Sequence, residues 1–182
     1  MTSGSKRWTG ECAEGGHLYA VGIGSNRPLA RTLGPHAIVE AAFTALDEAP
    51  LRLIAHSPII ATRPLGPSSR TYANSVALVA APLEPLAMLA LLQTIERRFH
   101  RRRYRRWGPR TLDLDLLLWS GGTVNEPHLT VPHPAFRARA FVLDPLHAIA
   151  PGWRDPVTGL TIAQLHARLT RPKPVDHGPR AL

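Results

Sequence analysis

The sequence predicts one α+β domain, in which strands and helices follow in the order β-α-β-β-α-β and a C-terminal extension comes after them. Three observations predict this class. Apolar residues change along the chain between a spacing of two, typical of strands, and a spacing of three to four, typical of helices. The chain has 182 residues, which fits one domain. Its hydrophobic content of 44% is enough for a packed core.

The elements of the first half follow from these spacings. A strand is predicted over 18–24, where apolar residues alternate before the turn residues Ser25 and Asn26. After Pro35 the apolar residues recur at helical spacing, and proline suits the first turn of a helix. Residues 51–61 predict a second extended stretch, which Pro58 marks as an edge or a break.

The second half continues the pattern. An apolar strand is predicted over 74–81, a helix over 85–99 and the clearest strand over 112–119, with further helical stretches near 143–149 and 161–169. This order is typical of the split βαβ, ferredoxin-like arrangement, an antiparallel sheet with helices on one face. The domain is expected to span 17–170, between a disordered leader at 1–16 and a flexible tail at 171–182.

Composition excludes several classes of protein. Cys12 is the only cysteine, so neither an intramolecular disulfide nor a cysteine-based zinc site can form. No apolar run approaches the roughly 20 residues of a membrane span. The first residues contain no apolar segment typical of a secretory signal. A cytoplasmic location is therefore expected.

The positive charge is concentrated in one segment. The chain has 22 Lys+Arg and 13 Asp+Glu, a formal net charge of +9. Residues 97–110 hold eight arginines and no acid, and the remainder has 14 basic against 13 acidic residues, or +1. Arginine suits phosphate because its planar fork of donors matches the phosphate oxygens. Read alone, the segment fits a nucleic-acid patch, a solvated charge run or a mobile loop at a polyphosphate site.

Asp113 and Asp115 are the first candidates for chemistry. On a strand, side chains two apart share a face, so both carboxylates are expected on one face together with Leu117 and Trp119. Two such carboxylates repel unless a cation lies between them, and Mg²⁺ prefers oxygen ligands and substrate phosphates. The alternative is a solvent-facing pair on an exposed sheet. The arginine segment leads directly into this strand, and no P-loop motif is present.

Three further side chains are weaker candidates. Tyr72 and Asn74 share a face at a strand entrance, and a ring with an amide would suit a flat heterocycle. Taken alone, a loop tyrosine and a turn asparagine are the simpler interpretation. His133 lies between two prolines, and nothing local makes it a base or a metal ligand.

Five ordered segments then decide the interpretation. The segment 106–115, RWGPRTLDLD, resembles the signature of the 6-hydroxymethyl-7,8-dihydropterin pyrophosphokinase family of the folate pathway. Further segments that resemble the family in the right order are GIGSN at 22–26, TRPLG at 62–66 with YAN at 72–74, LTVPH at 129–133 and RAF at 139–141. The resemblance covers roughly Leu18 to Gly152.

The resemblance implies an ATP-dependent diphosphotransferase with two Mg²⁺ ions, which gives AMP and the pterin diphosphate. It assigns the metal ions to Asp113 and Asp115, and catalysis to these two with Arg101, Arg103 and Arg110. The pterin positions it implies are Thr62, Leu65, Tyr72, Asn74 and Phe141. The nucleotide positions are Gln93, Glu96, Arg103, Trp107, Arg110, Leu116, Thr130, His133 and Arg139. The partners expected are these small molecules, for a monomer that binds neither nucleic acid nor membrane.

Two other functions stay open on the sequence. A non-catalytic nucleic-acid-binding module would use the arginine run, although few exposed aromatic residues accompany it beyond Tyr104 and Trp107. A different Mg²⁺-dependent nucleotidyl or phosphoryl transferase, or a paralogue with another pterin substrate, would share the metal site. The sequence departs from the family pattern at Arg27-Pro28, Arg63 and His100.

Overall fold

A computed structural model of the chain describes residues 16–63, 71–99 and 111–172. The main sheet contains β1 (His17–Ser25), β2 (Arg52–His56), β3 (Ile60–Thr62), β4 (Tyr72–Ala81) and β5 (Asp113–Trp119). The other elements are α1 (Pro35–Ala45), α2 (Pro85–Arg98), a hairpin of β6 (Val124–Glu126) and β7 (Leu129–Val131), a 3-10 turn (Phe136–Ala138), α3 (Ala140–Ile149) and α4 (Ile162–Thr170). The predicted leader and tail lie almost wholly outside the described residues.

The strand order confirms the ferredoxin-like prediction. The sheet runs β2-β4-β1-β5, β3 also pairs with β4, and every pairing is antiparallel. Each helical crossover thus skips one strand, as in a split βαβ unit. The predicted extended stretch 51–61 is two strands, β2 and β3, with Ser57 and Pro58 between them. Proline interrupts the ladder here because it has no N–H to donate.

Helices cover both faces of the sheet. The two helices of the βαββαβ unit lie on one face, as predicted, and the helices of the C-terminal extension, whose position was not predicted, cover the other. Helices α1 and α2 pack on the face that carries Tyr19, Val21 and Leu114. Helices α3 and α4 pack on the opposite face, against Leu78 and Leu118. The reason lies in the central strand β4, whose residues are buried from the second to the last, so neither face can be left to solvent. No helix among the described residues is long and apolar enough to span a membrane.

A bulge changes the faces of β5 and makes one sequence prediction wrong. Ala20 of β1 pairs with Leu118, whereas the next residue, Val21, pairs with Leu116. Leu117 is therefore an extra residue, and Leu117 and Leu118 both pack on the α3–α4 face. Trp119 consequently packs on the α1–α2 face and does not share a face with the aspartates. An extra residue inverts the alternation of every side chain beyond it.

The segment after β5 brings the chain back beside β5. The hairpin of β6 and β7 has three residues in each strand, too few for a periodic pattern to predict it. Beyond it, the His133 amide donates to the carbonyl of Leu117 at 2.9 Å. This hydrogen bond places the turn at His133 beside β5, and with it the start of α3.

Candidate active site

Two glycines of β1 open the face on which the aspartates lie. Gly24 is paired with Asn74 of β4 on one side and with Asp113 of β5 on the other. Residues directly opposite one another in a sheet present their side chains to the same face. A Cβ at Gly24 would lie 3.2 Å from Asn74 Oδ1 and 3.9 Å from Asp113 Cβ. The missing side chain therefore leaves a gap between an amide and a carboxylate.

Gly22 repeats this arrangement one step further along β1. It is paired with Asp115, so each predicted metal ligand has a glycine beside it. A Cβ at Gly22 would contact the Leu117 side chain at 3.3 Å. The two carboxylates are about 7 Å apart along an extended strand. The gap at Gly24 adjoins Asp113, whereas the Leu117 side chain covers Gly22 beside Asp115.

Asn74 is held by a neighbour on the adjoining strand. Its Nδ2 donates to Thr62 Oγ1 at 2.6 Å, and Asn74 is only 7% exposed. Thr62 is paired with Tyr72, so the three residues predicted around a flat heterocycle share this sheet face. With Nδ2 bonded to Thr62, the other amide atom, Asn74 Oδ1, faces the gap above Gly24. It is the atom that a Cβ built on Gly24 would approach most closely.

His133 lies in the electrostatic field of both aspartates. Burial lowers the pKa of His133 below its ordinary value, and the Arg139 charge acts in the same direction. The carboxylates of Asp115 and Asp113 oppose this shift. The Ala135 amide donates to His133 Nδ1 at 3.2 Å, so a neutral imidazole carries its proton on Nε2.

Arg139 and Phe141 stand at the start of α3, on the same side of the sheet. The Arg139 guanidinium lies 5.7 Å from the centroid of the Phe141 ring, within the range of a cation–π contact. Phe141 is half-buried against the α3–α4 core. Thr130 is exposed on β7, between the buried residues Leu129 and Val131.

The remaining described candidates lie on the α1–α2 side. Gln93 and Glu96 are on α2, and the Glu96 side chain is buried, with Oε1 accepting a hydrogen bond from the Leu114 amide at 2.8 Å. Leu114 stands between the two aspartates, so Glu96 supports the strand that carries them. Leu116 is 4% exposed in the core, so its side chain is not available to a ligand.

Five predicted site residues lie outside the described residues: Leu65, Arg101, Arg103, Trp107 and Arg110. Eight of the described candidates lie on the sheet face that carries the aspartates or in the turn and helix start beside it: Asp113, Asp115, Asn74, Thr62, Tyr72, His133, Arg139 and Phe141. Gly24 was not predicted as a site residue. A glycine pair inside a strand is the signal that could have found it, since such glycines mark close approach of another group.

Paired carboxylates are oxygen donors of the kind that hold Mg²⁺ together with substrate phosphates in phosphoryl-transfer enzymes. Residues 20–151 match the family described as 7,8-dihydro-6-hydroxymethylpterin-pyrophosphokinase (HPPK). These residues are well over half of the chain, and the chain belongs to this family.

Curated relatives agree with the family. The chain is 45% identical over 138 residues to the 2-amino-4-hydroxy-6-hydroxymethyldihydropteridine pyrophosphokinase of Pseudomonas aeruginosa. The aligned region covers 75% of this chain and 82% of that protein. The chain is 44% identical over 104 residues to the Synechocystis protein of the same name, in an alignment that covers 57% of this chain and 53% of that protein. The match thus spans most of one relative and about half of the other.

Solved structures are similar in fold. Plasmodium falciparum HPPK-DHPS, solved with STZ-DHP, matches with a TM-score of 0.67 at 14% identity, covering 84% of this chain and 43% of that one. The same protein solved with SDX-DHP gives a TM-score of 0.64 at 15% identity. This chain therefore corresponds to less than half of those longer chains, and at such identity the likeness concerns the fold alone.

Proposed function

We propose that this chain transfers the diphosphoryl group of ATP to 6-hydroxymethyl-7,8-dihydropterin, giving AMP and the pterin diphosphate for folate biosynthesis. The observation that carries the proposal is the sheet face that Asp113 and Asp115 share, on which Asp113 stands across Gly24 from Asn74. That face offers carboxylates for a phosphate-bound cation beside an amide for a heterocycle. Membership of the family supports the same activity.

Asp113 and Asp115 would hold two Mg²⁺ ions. Both groups are hard oxygen donors, and Gly24 leaves space beside Asp113. No group of three or more His, Cys, Asp or Glu side chains that could hold a metal occurs within the described residues. The rest of an octahedral shell would come from water and phosphate oxygens. When bound, the ions neutralise the charge that develops on the phosphate oxygens.

Asn74, with its neighbours Thr62 and Tyr72, would bind the pterin. The Thr62 hydroxyl accepts from Asn74 Nδ2 and so fixes the amide plane, which is what recognition of a flat ring with donors and acceptors requires. Tyr72 adjoins this pair, and Phe141 at the start of α3 would supply a ring face for stacking. Leu65 belongs to the same proposal.

The nucleotide would lie on the opposite side of the aspartates. His133 would donate through Nε2, and Arg139 would supply positive charge to the phosphates. Thr130, Leu116, Gln93 and Glu96 belong to this proposal through the resemblance, as do Arg101, Arg103, Trp107 and Arg110. Closure of these arginines over ATP would exclude water and so limit hydrolysis.

The reaction needs positioning more than proton chemistry. The pterin hydroxyl oxygen forms a bond to the β-phosphorus, the bond from that phosphorus to the oxygen bridging the α- and β-phosphates breaks, and AMP leaves. Such a displacement depends on holding the attacking and leaving oxygens in line. We assign no general base. We propose further that the protein acts as a cytoplasmic monomer on these small molecules, without nucleic acid or membrane.

Product analysis tests the proposal. The protein is incubated with ATP, MgCl₂ and 6-hydroxymethyl-7,8-dihydropterin, and the nucleotides are separated by chromatography. AMP is expected, formed only when the pterin is present and lost in Asp113→Asn. ADP as the product would instead indicate a phosphoryl transferase, and turnover unaffected by Asp113→Asn would contradict the metal assignment.

A further inference from the structure

An ion pair between the partly exposed Arg137 and the buried Asp155 joins the C-terminal extension to the turn that carries His133 and Arg139. Arg137 donates to Asp155 through two nitrogens, from Nε to Oδ2 at 2.7 Å and from Nη2 to Oδ1 at 2.6 Å. Asp155 is completely buried. The Arg137 guanidinium also lies 4.6 Å from the centroid of the Phe136 ring. A bidentate pair of this kind fixes both the position and the plane of the guanidinium.

The carboxylate of Asp155 is held as firmly as its partner. Thr158 Oγ1 donates to Oδ2 at 2.5 Å, and the Val157 amide donates to Oδ1 at 3.2 Å. The Asp155 amide donates to the Leu160 carbonyl at 2.9 Å, which closes the turn before α4. Burial raises the pKa of Asp155, and the hydrogen bonds from Arg137 and Thr158 more than reverse this, so the group is an anion.

The pair completes the anchoring of residues 133–139. At one end the His133 amide is bonded to Leu117, and in the middle Phe136 is fully buried. Arg137 supplies the third anchor, two residues before Arg139. Arg137 is thus committed to Asp155, whereas the Arg139 guanidinium lies over Phe141 at the candidate site. Arg137 therefore has a structural role, whereas Arg139 is placed at the candidate site.

We propose that Arg137 and Asp155 are positioning residues for the nucleotide half of the site, so that the C-terminal extension takes part in ATP binding. The inference rests on the proposed function. Asp155 cannot touch a substrate because it is fully buried, and it acts by fixing the turn that presents His133 and Arg139. The part of the pterin half formed by Thr62 and Asn74 is held by β3 and β4, whereas Phe141 follows the anchored turn at the start of α3.

The test compares variants of the pair with a matched control in the full chain. Asp155→Asn removes the charge at constant size, Arg137→Met removes the donors, and Arg137→Lys keeps the charge but loses the fork. The control is Asp144→Asn, which removes the negative charge from the 2.9 Å contact between Asp144 and His166 that joins α3 to α4. Calorimetry gives the Kd of a non-hydrolysable ATP analogue with Mg²⁺, and steady-state kinetics gives KM for both substrates.

We expect Asp155→Asn and Arg137→Met to raise the analogue Kd and the ATP KM by about ten- to a hundredfold, since misplacing binding groups has effects of this size. The KM for the pterin should change less than the KM for ATP, since Thr62 and Asn74 do not depend on the pair. Arg137→Lys should lie between wild type and Arg137→Met, and Asp144→Asn should match wild type. The double variant Arg137→Met/Asp155→Asn should be no worse than the more damaging single variant, because the pair acts as a unit.

Melting temperatures decide the assay temperature, so that every variant compared is folded. If Asp155→Asn does not fold, Arg137→Lys carries the same comparison. Equal changes in both KM values, or an unchanged analogue Kd, would overturn the inference while wild-type AMP production leaves the proposed function intact. A wild type that neither binds the analogue nor forms AMP would overturn both.

Discussion

Gly24 illustrates how a single missing side chain shapes the candidate site. It stands between Asn74 and Asp113, and nothing projects from β1 into the space between the amide and the carboxylate. The Asn74 side chain cannot retreat freely, because its Nδ2 is bonded to Thr62 at 2.6 Å. A Cβ introduced at this position must therefore press on Asn74 or occupy the gap in which we propose that the pterin binds.

Gly24→Ala is expected to weaken pterin binding with little change in stability. The new Cβ would lie 3.2 Å from Asn74 Oδ1, closer than an ordinary van der Waals contact. We expect the pterin KM to rise about tenfold or more, the scale of one methyl group in a binding pocket. Steady-state kinetics measures this. Gly34→Ala is the control, because a Cβ there meets nothing within 4 Å, and equal KM values in the two variants would contradict the prediction.

His133 is expected to make stability depend on pH. Its pKa in the folded protein is below the ordinary value of 6.5, chiefly because of burial. As the pH falls below 6.5, the unfolded chain therefore binds the proton before the folded one does, and the free energy of unfolding decreases. This contribution is fully present above 6.5 and is lost toward the folded pKa.

The comparison is with His133→Asn, whose oxygen can still accept from the Ala135 amide. Urea unfolding without Mg²⁺ or nucleotide is measured between about pH 7.5 and pH 5. We expect wild type to lose free energy relative to the variant below pH 6.5, by at most about 1.4 kcal/mol per pH unit. A difference that stays constant over the whole range would show that His133 does not titrate as proposed.

At the scale of elements, the junction between α2 and β5 is supported by a buried carboxylate. Strand β5 is at the edge of the sheet, so part of its backbone has no strand partner. Glu96 accepts the Leu114 amide at 2.8 Å and so takes the place of a missing strand at this point. The contact fixes the backbone between Asp113 and Asp115.

Glu96→Ala is expected to destabilise the protein by about 2–4 kcal/mol, because it leaves the Leu114 amide without its acceptor and removes a buried side chain. Glu96→Gln keeps an acceptor and should cost less. Thr94→Ala, an exposed change on the same helix, should cost less than about 0.5 kcal/mol. Urea unfolding measures the three values, and hydrogen exchange at Leu114 should accelerate most in Glu96→Ala. Equal stability of Glu96→Ala and Thr94→Ala would refute this role.

At the scale of the whole molecule, the sheet is the middle layer of three. Helices α3 and α4 are part of the core, because they cover the sheet face that includes Leu18, Leu78 and Leu118. The same layer brings Arg139 and Phe141 to the edge of the aspartates. Stability and site geometry therefore depend on the same packing.

Leu165→Ala is expected to destabilise the protein by about 2–5 kcal/mol, the usual range for a buried leucine. Leu165 is 7% exposed on α4, whereas Leu169, on the same helix, is 36% exposed and gives the control Leu169→Ala. The control should cost less than about 1 kcal/mol. Thermal unfolding distinguishes them, and equal melting temperatures would mean that α4 does not close the core.

The sequence by itself determined the element order, the face shared by Asp113 and Asp115, and the neighbourhood of Tyr72 and Asn74. These follow from local spacing, since side-chain direction along one strand is fixed by its period. It also carried the family signature at 106–115.

Only the tertiary structure decided the rest. The bulge at Leu117, which turned Trp119 to the other face, depends on how β1 and β5 pair over several residues. The covering of the second face by α3 and α4, and the meeting of Arg137 with Asp155, join segments distant in the chain. Such contacts depend on the packing free energy of the whole core, which cannot be read from the spacing of residues within one element.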